Sequence, residues 1–241
     1  MKPSQIISII SLSCLAPAQA ASLLIDFENS AGTTETGWQA FTDSGEANNK
    51  TMLFAADPAI TGSNVSITTT GVEFTRNYNN GGSAPPAFWA DDLDSVYNDL
   101  ILRNDGSTTL NIAIGGLVAG TFDITTYHLV SGNSGSTVTS FDLDVDDADS
   151  AGFSQNVGTF SMGKANTVDF FSPTVNTFEV TSNGTDPVTL RLTVDVLGPG
   201  GTGNWMGVNG LEIANVAPIP EPSSTALLGL GGLALIMRRS K

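Results

Sequence analysis

The stretch PVTLRLTVDVL, residues 187–197, alternates without a break. Val188, Leu190, Leu192, Val194 and Val196 fall on one side, and Thr189, Arg191, Thr193 and Asp195 on the other. A period of two is the signature of an extended strand with one dry face and one wet face. Such a strand must bury its dry side against another layer, which makes two packed sheets the economical solution. TFDITTYHLV repeats the pattern, with Phe122, Ile124, Thr126, His128 and Val130 sharing a face. Shorter runs of the same kind lie near Leu23–Phe27, Met52–Ala55, Val65–Thr69, Val72–Arg76, Leu110–Ile114, Val138–Val145, Thr177–Thr181 and Met206–Ile213, separated by Gly, Asn, Ser and Pro clusters. One helical turn is expected over Asp92–Leu100, where Asp92 or Asp94 can cap the start and Leu93, Val96, Tyr97 and Leu100 share a face. No other stretch holds helical periodicity, no repeat of fixed length occurs, and no linker divides the region. The expected fold is all-β: a two-sheet antiparallel β-sandwich over residues 21–217.

The two ends have a different grammar. Residues 1–20 combine Lys2, the apolar run Ile6–Leu15 and the small-x-small pattern Ala18-Gln19-Ala20, the three parts of a secretory signal. Cleavage after Ala20 is expected to start the mature chain at Ala21. It also removes Cys14, the sole cysteine, leaving no thiol or disulfide chemistry. At the other end, Pro218-Ile219-Pro220-Glu221-Pro222 leads into the Gly-rich apolar stretch Ser223–Met237 and then Arg238-Arg239-Ser240-Lys241. The apolar stretch reads as a short hydrophobic helix, below the roughly 20 residues of a comfortable span, with its basic end held on the cytoplasmic side. The order Pro220-Glu221-Pro222, apolar stretch, Arg238 and Arg239 resembles the PEP-CTERM sorting signal of Gram-negative bacteria. That resemblance, over residues 218–241, implies transient membrane insertion of the tail, processing by an exosortase, and delivery to the envelope or an extracellular polysaccharide matrix.

Between the ends, LLIDFEN followed by Gly37-Trp38, the run Tyr97–Ile101, the stretch Gly116–His128 and the closing Val208–Ile213 resemble galactose-binding-like jelly-roll domains. The resemblance implies a jelly roll whose first and last strands are neighbours. It also implies glycan binding at a loop edge and a structural calcium, for which Asp26, Glu28 and Glu212 are the residues it suggests.

Charge narrows the partners. Residues 21–217 hold 23 acids and 5 bases, a net of −18. Nucleic acid is excluded as a partner, since the phosphate attraction that drives such binding has the wrong sign here. The densest acidic stretch is FDLDVDDADS, where alternation places Phe141, Leu143 and Val145 inward and Asp142, Asp144 and Asp146 outward. Mutual repulsion there could be relieved by a hard cation such as calcium, with Asp147 and Asp149 completing the oxygen set. A solvated acidic strand entering an Asp-rich turn is the plainer account, because water screens exposed charge cheaply. The spacing is not that of an EF-hand loop.

Nothing in the sequence forms a catalytic motif. His128 is the single histidine, which excludes a multi-histidine zinc site, and no nucleophile elbow is present. Its parity with Phe122 and Ile124 assigns it to the core. A carboxylate pair able to hydrolyse glycans is a matter of three-dimensional separation that spacing leaves open. Sugar recognition calls for an exposed aromatic ring beside amides. The best composition for that is the loop Arg76–Gly82, with Tyr78 flanked by Asn77 and Asn79, and Trp89 is a further candidate. Trp38 and Trp205 read as packing plugs. The functional expectation is an exported, non-catalytic protein that binds extracellular polysaccharide. A structural surface protein without a specific ligand and a glycan hydrolase are the alternatives.

Overall fold

The computed structural model describes residues 21–29, 34–43, 50–72, 74–77, 99–103, 109–131, 140–147, 152–153, 155–161, 163–165, 171–172, 174–194 and 206–216. Residues 21–216 form one compact unit, and its described residues are strands and turns. In chain order the strands are β1 (Ser22–Asn29), β2 (Gln39–Asp43), β3 (Lys50–Ala55), β4 (Thr61–Thr70), β5 (Phe74–Asn77), β6 (Asp99–Arg103), β7 (Thr109–Leu117) and β8 (Ala119–Ser131). They continue with β9 (Ser140–Asp146), β10 (Gln155–Ser161), β11 (Gly163–Ala165), β12 (Phe171–Ser172), β13 (Thr174–Asn183), β14 (Val188–Val194), β15 (Met206–Val208) and β16 (Gly210–Asn215).

Two large sheets make the sandwich. The first runs β12-β11-β8-β16-β1-β2, with β13 also paired to β8, and the second runs β10-β9-β14-β7-β4-β3. The alternation that predicted the strands also decides what they bury. From the first sheet Ile25, Phe27, Phe122, Ile124, Leu211 and Ile213 are fully buried, and from the second Ile67, Ile112, Ile114, Leu143, Val145, Leu190 and Leu192. Each such side chain, withdrawn from water, contributes about 1.5–3 kcal/mol. Phe41 of β2 links the layers at one edge: its ring lies 5.3 Å from Phe27 and stacks on Phe54 of β3 at 6.3 Å. The first and last strands, β1 and β16, pair antiparallel from Ser22–Ala214 to Asp26–Gly210, as the jelly-roll resemblance implies.

Three features depart from the expectation. Pairing is not wholly antiparallel: β1–β2 and β11–β8 are parallel, both at the flanks of the first sheet. The stretch 206–213 is not one strand. Asn209, fully buried, interrupts it: its N–H donates to Tyr127 O at 2.8 Å, its carbonyl accepts from Phe27 N–H at 3.0 Å, and its Oδ1 accepts from Leu129 N–H at 2.6 Å. That break lets β15 leave the first sheet and join a third, small sheet, β15-β6-β5. Third, the turn expected over Asp92–Leu100 is corrected at its end. Asp99 and Leu100 open β6 and pair with Asn77 and Arg76 of β5. Extended pairing on both sides of β6 satisfies more backbone groups there than one helical turn could. Residues 92–98 lie outside the described residues.

Backbone geometry fixes the β7–β8 corner. Gly116 has φ +80°, and a Cβ there would fall 2.4 Å from Asn64 O. Only glycine fits both demands. Here Thr61 Oγ1 also donates to Gly116 O at 2.6 Å, where the β4–β7 register shifts.

Candidate functional site

Two polar constellations stand out, one on the outer face of each large sheet. On the first sheet, alternation sends Leu23, Ile25 and Phe27 of β1 inward and Asp26 and Glu28 to the opposite side. Both carboxylates are nonetheless buried, at 0% and 4% exposure. Register places Asp26 beside Gly210 and Gly210 beside Tyr127. Trp38 meets the Tyr127 ring edge-on at 5.5 Å. Trp38 is half-buried, as a packing plug should be. Tyr127 donates its hydroxyl to Glu212 Oε2 at 3.2 Å, and burial followed by the Glu212 charge pushes its pKa up to about 12.

Asp26 Oδ2 accepts the Glu35 N–H at 3.2 Å, while Asp26 Oδ1 and Glu28 Oε1 are buried without a hydrogen-bond partner. Burial is the main force on Asp26 and pushes its pKa up to about 7. The Glu35 N–H opposes this, and the Glu28 and Glu35 charges add to it. Two orphaned carboxylate oxygens on the same face of β1 are groups that a hard cation would satisfy. Glu212, the third residue suggested by the jelly-roll resemblance, is turned to Tyr127 instead. Among the described residues no three acidic or imidazole side chains gather as a metal-ligand set.

On the second sheet, Asp142, Asp144 and Asp146 project outward from β9 as the alternation requires, and neighbouring strands supply donors. Thr159 Oγ1 donates to Asp142 Oδ1 at 2.5 Å. Asn156 Nδ2 donates to Asp144 Oδ1 and Arg191 Nη2 to Asp144 Oδ2, each at 2.8 Å. Partial burial works against Asp144, but the hydrogen bonds from Arg191 and Asn156 and the Arg191 charge win and hold its pKa below the ordinary carboxylate value. Arg191 also lies over the Phe153 ring, 3.8 Å from its centroid. Carboxylate repulsion on this strand is therefore relieved by cross-strand partners at two of its three outward positions. Asp147 follows the strand, and Asp149 lies outside the described residues.

His128 sits in the core, fully buried, with its ring 4.8 Å from that of Phe141. Nδ1 is 2.7 Å from Gly207 O, an acceptor only, so Nδ1 carries the proton and Nε2 accepts from the Thr126 hydroxyl at 2.8 Å. Burial drives its pKa down to about 4 against that backbone bond, which keeps it neutral.

The loop-edge ligand site is only grazed by the described residues. Asn77 ends β5. Tyr78, Asn79 and Trp89 lie outside, as do Trp205 and the processing residues Ala18, Ala20, Pro220, Glu221, Pro222, Arg238 and Arg239. Sequence reasoning missed Phe153 and Arg191 as a pair, because 38 residues separate them and only sheet register brings them together. It had Asp26 and Glu28 through the resemblance, but not their burial.

Comparison with known proteins decides the nature of the tail. Residues 218–241 match the PEP-CTERM protein-sorting motif. Such a tail marks an exported protein sorted by an exosortase. No curated protein matches the chain. Among solved structures it is similar to the extracellular domain of ANXUR2 from Arabidopsis thaliana, at 15% identity and a TM-score of 0.43, covering 65% of this chain and 44% of that one. A family 35 carbohydrate binding module from Clostridium thermocellum aligns at 8% identity and 0.33, covering 68% and 97%. A Ruminococcus gnavus GH29 fucosidase in complex with fucose aligns at 12% and 0.34, covering 63% and 25%. The chain spans less than half of the ANXUR2 domain it matches, and scores this low transfer neither a ligand nor a site.

Proposed function

We propose that this protein is a non-catalytic component of the extracellular matrix, sorted by an exosortase, whose β-sandwich associates with neutral extracellular polysaccharide. The match of residues 218–241 to the sorting motif is the observation that carries the reading. The net charge of −18 over residues 21–217 supports a neutral rather than an anionic polymer, since like charge disfavours contact over the whole surface. Binding rather than cleavage is supported by the placement of the titrating groups. Among the described residues the carboxyl group with a raised pKa, Asp26, is fully buried, and so is the single histidine, where a glycosidic oxygen has no access. The test is co-sedimentation of the secreted protein with the polysaccharide extracted from its own host. Retention supports the reading, and a protein left wholly in the supernatant overturns it in favour of a structural surface protein without a glycan ligand.

A further inference from the structure

The outer face of the second sheet is crossed by a continuous polar row. Register aligns Asn156 of β10 with Asp144 of β9, Asp144 with Arg191 of β14, Arg191 with Asn111 of β7, and Asn111 with Thr70 of β4. The row is fixed by its own bonds: Asn156 and Arg191 on Asp144, and Asn111 Nδ2 donating to Thr70 Oγ1 at 3.2 Å. Beside it runs a second row, Asp146, Thr189, Ala113, Thr68 and Thr51, in which Thr51 and Thr68 share a hydrogen bond of 2.7 Å. Ala113 adds almost no bulk, so the floor between Thr189 and Thr68 is shallow. At the β9–β14 end Phe153 is half-buried, with the Arg191 guanidinium holding one side of its ring.

We propose that this face is the polysaccharide-binding surface, and that its ligand is a neutral glycan chain lying across the strands along the row. The proposal rests on the polysaccharide reading above and gives it an address. Three properties of the face select the occupant. Neighbouring strands are about 4.8 Å apart, close to the length of one sugar unit, so successive side chains of a row meet successive residues of a chain. The face is rich in acceptors, with the carboxylates of Asp142, Asp144 and Asp146. Among the described residues its one cation, Arg191, is already paired with Asp144, so it complements a polymer whose outward groups are hydroxyl donors and repels uronates and phosphates. Side chains already locked by cross-strand bonds lose little freedom when a ligand arrives, and the braced Phe153 ring offers an apolar contact for a pyranose.

The experiment is affinity electrophoresis of the secreted protein in gels containing a soluble β-glucan, galactomannan, alginate or the host's own polysaccharide. The expected result is retardation by at least one neutral polymer and none by alginate. Phe153→Ala should weaken that retardation about tenfold, the usual consequence of losing one aromatic anchor. Ala113→Gln, which fills the floor, should abolish it, with circular-dichroism melts confirming that both variants fold. Val175→Ser, at an exposed position on the outer face of the first sheet, should bind like the wild type. If folded Phe153→Ala and Ala113→Gln both bind normally, the surface is overturned while polysaccharide binding stands. If the wild type is retarded by no polymer, both fall. Preference for alginate overturns the neutral ligand.

Discussion

Replacing Asp26 by Asn should make the protein's response to pH change sign at one residue. In the folded chain the carboxyl group titrates near pH 7, whereas in the unfolded chain it titrates near the ordinary 3.9. A raised folded pKa means that the native state holds this proton more tightly. The resulting stability is therefore fully present below about pH 4 and disappears as pH rises through about 7. The whole interval amounts to about 4 kcal/mol by linkage, and about 3 kcal/mol of it lies between pH 5 and pH 8. His128 pulls the other way. Its pKa falls to about 4 on folding, so the stability it lends is present above about pH 6.5 and lost toward pH 4, up to about 3 kcal/mol. The two slopes largely cancel in the wild type, and only a difference isolates either one. Urea titrations of wild type and Asp26→Asn, with chelator present, should show the variant gaining about 3 kcal/mol on the wild type between pH 5 and pH 8. Asparagine can still accept the Glu35 N–H, so the change tests ionisation rather than the hydrogen bond. A stability difference that stays constant over this range would refute the assignment of Asp26 as a carboxyl group held protonated by burial.

His128→Leu should lose the acid sensitivity between pH 6.5 and 4. At pH 7 it should cost about 1–3 kcal/mol for leaving the Gly207 carbonyl and Thr126 hydroxyl without the ring, read by the same titrations. Gly116→Ala should cost about 2–3 kcal/mol, because both the left-handed backbone and the contact with Asn64 O oppose a side chain. Normal thermal melting of that variant would contradict the corner geometry. Calcium at Asp142, Asp144, Asp146, Asp147 and Asp149 remains a proposal. It predicts that chelation lowers the Tm and that Asp146→Asn removes the effect; identical melts with and without chelator would overturn it.

The strands legible in the sequence were those whose alternation was strong enough to need no context. In β14 and β9, Val188, Leu190, Leu192, Phe141, Leu143 and Val145 are all fully buried, and the parity of His128 placed it in the core. Edge strands β3 and β5 were legible at Met52–Ala55 and Val72–Arg76, but several other flanking elements were not. β2, β10, β11 and β12 are short or irregular, and β10 carries a bulge between Asn156 and Gly158 that breaks the period of two. The split at Asn209 follows from three hydrogen bonds to distant backbone, which no local pattern encodes. The same limit governs the sites. Asp142 and Asp144 could be assigned to an outer face, but their partners Thr159, Asn156 and Arg191 come from other strands. The burial of Asp26 and Glu28 was not legible, because the packing of β5 and β6 against β1 is a tertiary fact.

The PEP-CTERM motif marks the chain as exported, and we propose that it is trimmed at both ends and held in an extracellular polysaccharide matrix. Intact-mass measurement of the protein recovered from the host's matrix fraction tests it most directly. The expected chain begins at Ala21, has lost Arg238–Lys241, and is recovered in that fraction only when the exosortase is present. A protein found only inside the cell, or one that carries both Met1 and Lys241 wherever it is found, would contradict it.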